Sequence, residues 1–163
     1  IVLGYSYKPN VKWTFNADIE WMNWSVVNKE ELAYPEESNA ARLAVLNNGN
    51  PASRDWASVF SGALGTQYEV SDRFRVRTGY FYRQSPIPND TWEPNLPDSD
   101  SHAVTAGFGY DLRKDLTVDL AWSGIMYLKR TVDNTVGDAA GGGIDGTYRQ
   151  WDNLAYATVT YSF

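Results

Sequence analysis

The chain has 163 residues and a formal net charge of −6, which argues against a nucleic-acid partner because phosphate binding needs a basic surface. Aromatic residues make up 15% of it and charged residues 21%, and it has no apolar run of the ~18 residues that a transmembrane helix needs. Cysteine is absent, so disulfides and thiolate metal sites are excluded. A chain rich in both aromatic and polar residues fits strands that alternate the two classes, as a membrane β-barrel does.

The first eight residues read as a strand from the outset, with Ile1, Leu3, Tyr5 and Tyr7 on one parity and a turn at Lys8-Pro9-Asn10. No basic segment and apolar run with a cleavage site opens the chain, so we read the start as that of a mature fragment or a piece of a longer polypeptide. The clearest alternation runs from Val11 to about Val26. Val11, Trp13, Phe15, Ala17, Ile19 and Trp21 share one face, and Lys12, Thr14, Asn16, Asp18 and Glu20 share the other. Trp13 to Trp21 spans roughly 20 Å along a tilted barrel axis, the height of an apolar band with an aromatic girdle at each edge.

Five further segments repeat the pattern. Trp56, Phe60, Leu64, Tyr68 and Val70 lead to a turn at Ser71-Asp72-Arg73, and Phe74, Val76, Thr78, Tyr80 and Tyr82 return. Val104, Ala106, Phe108, Tyr110 and Leu112 run to a turn at Arg113-Lys114-Asp115, and Leu116, Val118, Leu120, Trp122, Met126 and Leu128 run back. Trp151, Ala155, Ala157, Val159, Tyr161 and Phe163 finish the chain. Short turns near 8–11, 71–73 and 113–115 alternate with long loops near 27–54, 85–101 and 131–148, the periplasm-versus-exterior asymmetry of an outer-membrane barrel. The long loops hold the Pro-rich stretch Ser85 to Asp90 and the glycines Gly141-Gly142-Gly143, which cannot form ladder interiors. A short surface helix is expected within Glu36 to Leu46. The fold class is therefore all-β, a transmembrane antiparallel barrel. Seven is an odd count where single-chain bacterial barrels use an even one, so further strands are expected upstream.

Three segments carry a family resemblance: Arg75 to Pro88, Leu96 to His102 with Val104 to Tyr110, and Leu116 to Trp122. The order is a strand, Ser-Pro-x-Pro, a loop with Pro-Asp-x-Asp, and a strand with Gly-x-Gly-Tyr. Together they resemble the C-terminal part of the long-chain fatty acid transporter family, the FadL type, which includes aromatic-hydrocarbon porins. The resemblance implies a 14-stranded barrel plugged by an N-terminal hatch, with capture at extracellular loops and lateral exit through the wall. Residues 1–163 would then be the C-terminal half of that one barrel domain, with the hatch and upstream strands absent. It also implies a multi-pass outer-membrane protein whose partners are the bilayer, lipopolysaccharide, the upstream half of the barrel and a hydrophobic small-molecule ligand.

A fatty acid needs apolar surface beside a cation, and arginine can hold a carboxylate bidentately. The polar parity carries Arg75, Arg77, Arg83, Lys12 and Lys129 together with Asp18, Glu20, Glu69, Asp119 and Asp152. Arg77 is the first choice for a ligand contact, followed by Arg75, with Phe81, Ile125, Leu154 and Tyr156 as inward apolar residues able to line a pocket. The competing reading pairs these charges across the lumen, as buried charges must be; Glu69 and Arg75, flanking one turn, are the expected pair. His102, the sole histidine, has no evident catalytic or metal-binding partners, and Asp98 and Asp100 read as a solvated acidic loop. No catalytic residue, metal site or cofactor is expected. Long-chain fatty acid uptake is the leading function; aromatic-hydrocarbon uptake, a general porin or structural barrel, and a barrel enzyme are the alternatives.

Overall fold

The computed structural model describes residues 1–137 and 142–163, so Gly141 of the glycine run lies outside the described residues. Among the described residues, eleven strands and one α-helix follow in order: β1 Val2–Tyr7, β2 Trp13–Met22, β3 Lys29–Glu30, α1 Ala40–Leu46, β4 Ala52–Ser53, β5 Val59–Ser71, β6 Phe74–Arg83, β7 Ser101–Arg113, β8 Leu116–Tyr127, β9 Arg130–Val132, β10 Gly146–Tyr148 and β11 Trp151–Tyr161. Seven of them build one antiparallel sheet in the order β1-β2-β5-β6-β7-β8-β11, each paired with its predecessor in the chain. The other four form two small hairpins within the long loops, β3 with β4 and β9 with β10. The seven alternating segments of the sequence are the seven strands of the main sheet.

The register shows why the alternation matters. Tyr5 pairs with Ala17, Ala17 with Leu64, Leu64 with Tyr80 and Tyr80 with Val104, so the apolar parity forms continuous rows across strands. On the opposite face Glu69 stands beside Arg75, and Asp119 lies beside Gly109. The apolar face is uncovered: Leu3 is 68% exposed, Leu64 62% and Val159 68%. The buried apolar side chains among the described residues are Val59, Ile87, Trp92, Ala103 and Val132, too few to form the core of a water-soluble domain of this size. Hydrocarbon is the solvent that such a face requires.

At one end of the sheet the turns are tight. Asn10 closes the first, its Oδ1 accepting from the backbone N–H groups of Lys12 (2.9 Å) and Trp13 (3.0 Å). The two other turns each follow a register shift, between Glu69 and Ser71 and between Asp111 and Arg113, where bulges raise the local twist.

Several boundaries differ from the expectation. The strand read from Val11 to Val26 is shorter: Val11 and Lys12 belong to the turn, and after Met22 the chain enters a 3-10 turn at Trp24–Val26. Trp56, Leu128 and Phe163 lie just beyond strand ends, and Lys129 is an exposed loop residue. The helix spans only the last seven of the eleven residues given to it, because Asn39 caps it, its side chain accepting from Ala41 and Arg42 N–H.

At the opposite end the described parts of the long loops pack into a cap. Ile87, Trp92 and Val132 are buried together, with Trp56, Ile144 and Tyr148 packed against them. Full burial of a side chain such as Val132 contributes about 1.5–3 kcal/mol.

Candidate functional site

Among the described residues, two hollows lie on the polar face of the sheet, one at the loop end and one at mid-height. The outer one is a chamber of about 390 Å³. Its floor is strand-borne, with Glu20 and Met22 from β2, Val59 and Ser61 from β5, and Arg83 from β6. Loops supply the rest: Trp24, Trp56, Pro86, Ile87, Leu96 and Pro97 make the wall predominantly apolar. Trp24 and Trp56 meet edge to face with ring centroids 5.3 Å apart.

The chamber's roof is held by charge. Arg130 reaches from β9 into a nest of acceptors: its Nε donates to Asn89 Oδ1 (2.8 Å), its Nη1 to the Asp98 carbonyl (2.8 Å) and its Nη2 to the Ile87 carbonyl (2.5 Å). The guanidinium also lies 5.8 Å from the Trp92 ring centre, within cation–π range. Burial pushes its pKa below the ordinary arginine value, while Asp98 and Asp100 oppose that shift. Arg54 joins two loops by donating to Glu30 and to Glu93, and hydrogen bonds to Glu30 and then Glu93 raise its pKa. Asp98 pairs with Arg83 at 2.8 Å, and Asp100 accepts from Tyr82 Oη (3.0 Å) and Ser85 N–H (2.8 Å). The acidic loop expected to be solvated is thus part of the roof.

The inner hollow, about 210 Å³, is lined by Arg77, Thr105, Gly107, Asp119, Tyr156 and Thr158 among others. Arg77 and Tyr156 share one row of the sheet through Gly107 and Ala121, so the structure brings these two expected residues together. Phe81 and Ile125 lie on a higher row, flanking Ala103. Leu154 is one row below them, beside Ser123. Arg75 stands one row below Arg77.

Pairing of the charges follows a different partner from the one expected. Arg75 does not bond Glu69, although the two face each other across β5 and β6. It turns the other way, with Nη1 3.2 Å from both Asp111 oxygens and Nη2 3.9 Å from Asp119. A glycine explains the direction: a Cβ at Gly109 would collide with Asp119 Oδ1 and Arg75 Nε, so its absence opens the path between them. Arg77 donates from Nη1 to Asp119 Oδ1 and from Nε to Gln67 Oε1, both at 2.7 Å, and Gln67 Nε2 in turn donates to Glu69 at 2.6 Å. His102 is the second residue of β7, on the membrane-facing parity, and shares a hydrogen bond with Tyr80 Oη at 2.5 Å.

Aromatic rows toward hydrocarbon, a charged interior wall and loops gathered at one end are features of a barrel wall. The sequence profile of the outer membrane protein transport protein family (OMPP1/FadL/TodX) matches residues 1–163. The chain belongs to this family. A long-chain fatty acid transport protein of Escherichia coli strain K12 is 36% identical over 127 residues, covering 78% of the chain and 26% of that protein. Alkane uptake protein A of Marinobacter nauticus is 28% identical over 122 residues, covering 75% of the chain and 25% of that protein. The solved structure of a Pseudomonas aeruginosa FadL homologue superposes with a TM-score of 0.81 at 24% identity, over 98% of the chain and 34% of its own. The Pseudomonas putida toluene transporter TodX gives 0.64 at 21% identity, over 99% of the chain and 34% of its own. The matched part is about a quarter of the length of these curated relatives. This FadL-family chain is therefore an outer-membrane β-barrel segment whose seven strands fit half of a barrel.

Of the resemblance-bearing segments, Arg83, Gln84, Pro86, Ile87 and Leu96 to Asp98 line the outer chamber, whereas Arg77, Thr105 to Gly107 and Asp119 to Ala121 line the inner hollow. Trp24, Trp56 and Met22 were not singled out from the sequence as site residues. Their signal was an aromatic or apolar residue at or near a strand end, which reads equally well as membrane girdle.

Proposed function

We propose that the full-length protein takes hydrophobic small molecules across the outer membrane, with long-chain fatty acids as the leading substrate. The observation that carries this reading is the outer chamber: an apolar cavity of about 390 Å³ at the loop end of a barrel wall. Such a cavity matches the low end of ordinary small-molecule sites and suits an alkyl chain better than a hydrated ion. The 36%-identical relative bears a fatty-acid name, which favours that substrate over an aromatic hydrocarbon or an alkane.

In this proposal an upstream half completes the barrel and a hatch fills it, with bilayer and lipopolysaccharide around the outside. Ligand passes from the chamber along Phe81 and Ile125 toward Tyr156, with Arg77 and then Arg75 as polar contacts for its head group. Arg77 has the stronger claim, because its side chain is 41% exposed against 19% for Arg75. No catalytic step is involved; passage is diffusion through a lined path.

The test pairs two measurements on the full-length protein. Cells relying on it should accumulate radiolabelled long-chain fatty acid, and the purified protein should conduct ions poorly in planar bilayers. Steady open-pore conductance without fatty acid accumulation would instead establish a polar porin.

A further inference from the structure

We infer that the outer chamber accepts its ligand in an uncharged form, and that Glu20 sets this preference. The inference rests on the uptake reading above and names the charge class that the same site selects.

Three charged groups face the chamber: Glu20 from β2, Arg83 from β6 and Asp98 from the loop above. β5 contributes only Val59 and Ser61 there. The one cation among the described lining residues is already engaged, with Arg83 Nη2 2.8 Å from Asp98 Oδ1. Glu20 lies in the same sheet row as Arg83, separated from it by Ser61, and makes neither an ion pair nor a side-chain hydrogen bond among the described residues. The chamber thus presents a matched ion pair and one surplus carboxylate within an otherwise apolar wall.

A ligand carboxylate entering this space loses hydration and gains no unmatched cation from the wall that this chain supplies. It also approaches Glu20, a like charge, in a setting of reduced dielectric. The neutral donors within reach, on Ser61, Gln84 and Asn95, do not offset that repulsion. A protonated acid or an alcohol reverses the balance, because its O–H donates to the Glu20 carboxylate in a charge-assisted hydrogen bond. A hydrocarbon makes no polar demand. The wall that this chain supplies therefore favours alkyl chains with a hydroxyl or protonated carboxyl head, and plain hydrocarbons.

The test measures binding of dodecanoate and dodecanol to the full-length protein, well above the pH range in which a fatty acid takes up a proton. Leu96→Trp, which fills the chamber from an exposed loop position, marks the share of binding that belongs there. Wild type should hold dodecanol more tightly than dodecanoate, and Glu20→Gln should strengthen dodecanoate alone by about threefold to tenfold, the effect of one nearby charge in a partly solvated site. Dodecanoate held more tightly than dodecanol by wild type, or an unchanged difference in Glu20→Gln, overturns the inference. Binding of both ligands unaltered by Leu96→Trp would instead remove the chamber from the proposed path.

Discussion

Arg77 shows how a charge on a barrel's inner wall can serve two ends. Its Nη1 and Nε are taken by Asp119 and Gln67, yet the guanidinium is exposed enough for a ligand head group to reach it. If it contacts ligand, Arg77→Ala in the full-length protein should weaken fatty acid binding severalfold and leave uncharged hydrocarbon binding unchanged, as read by competition for the purified protein. Equal loss for both ligands would assign the residue to the ion network alone. The expected Glu69–Arg75 pair fails for a reason that spacing does not reveal. Opposed positions on one face are necessary for a pair, but the glycine at 109 offers Arg75 a shorter route to Asp111 and Asp119.

At the level of the strand, period two carried almost everything. Val2–Tyr7 and Trp13–Met22 pair so that Leu3 meets Ile19 on the membrane face, and the same parity continues to Gly62 on β5. Ile19→Arg would place a cation in the hydrocarbon, at a cost of about 2–4 kcal/mol near the midplane. Reversible folding of the barrel into vesicles under urea would read that loss; unaltered stability would contradict the assigned face. Strand ends were legible less well, because a turn residue such as Val11 and a 3-10 residue such as Trp24 continue the alternation after the ladder has stopped. The hairpins β3–β4 and β9–β10 are only two and three residues a side, too short for any periodicity to reveal.

For the molecule as a whole, the loops act as one unit. Arg54 ties the first long loop to the second, and its side chain is 12% exposed against 51% for Glu30 and 22% for Glu93. Thr91 adds a hydrogen bond from its Oγ1 to the Arg54 carbonyl at 2.6 Å. Arg54→Ala should loosen the cap by about 1–2 kcal/mol, a buried-pair loss reduced for the solvent around Glu30. Limited proteolysis in intact vesicles should then cut residues 27–54 faster, while the barrel resists. Unchanged cleavage would show that the buried cluster around Trp92 holds the loops without this arginine.

Alternating side chains by themselves determined the all-β class, the seven strands, the face each strand residue presents and the asymmetry between tight turns and long loops, though not the place of Trp56, which lies outside the ladder and lines the chamber. These follow from local geometry, since a pleated strand sends successive side chains to opposite sides whatever surrounds it. Only the tertiary structure decided which charges pair, where Trp24 and Trp56 meet and that the loops wall a half-open chamber. Those outcomes depend on residues far apart in the chain arriving at one place, as Arg130 does beside Ile87 and Asp98, and no spacing within a segment encodes that meeting.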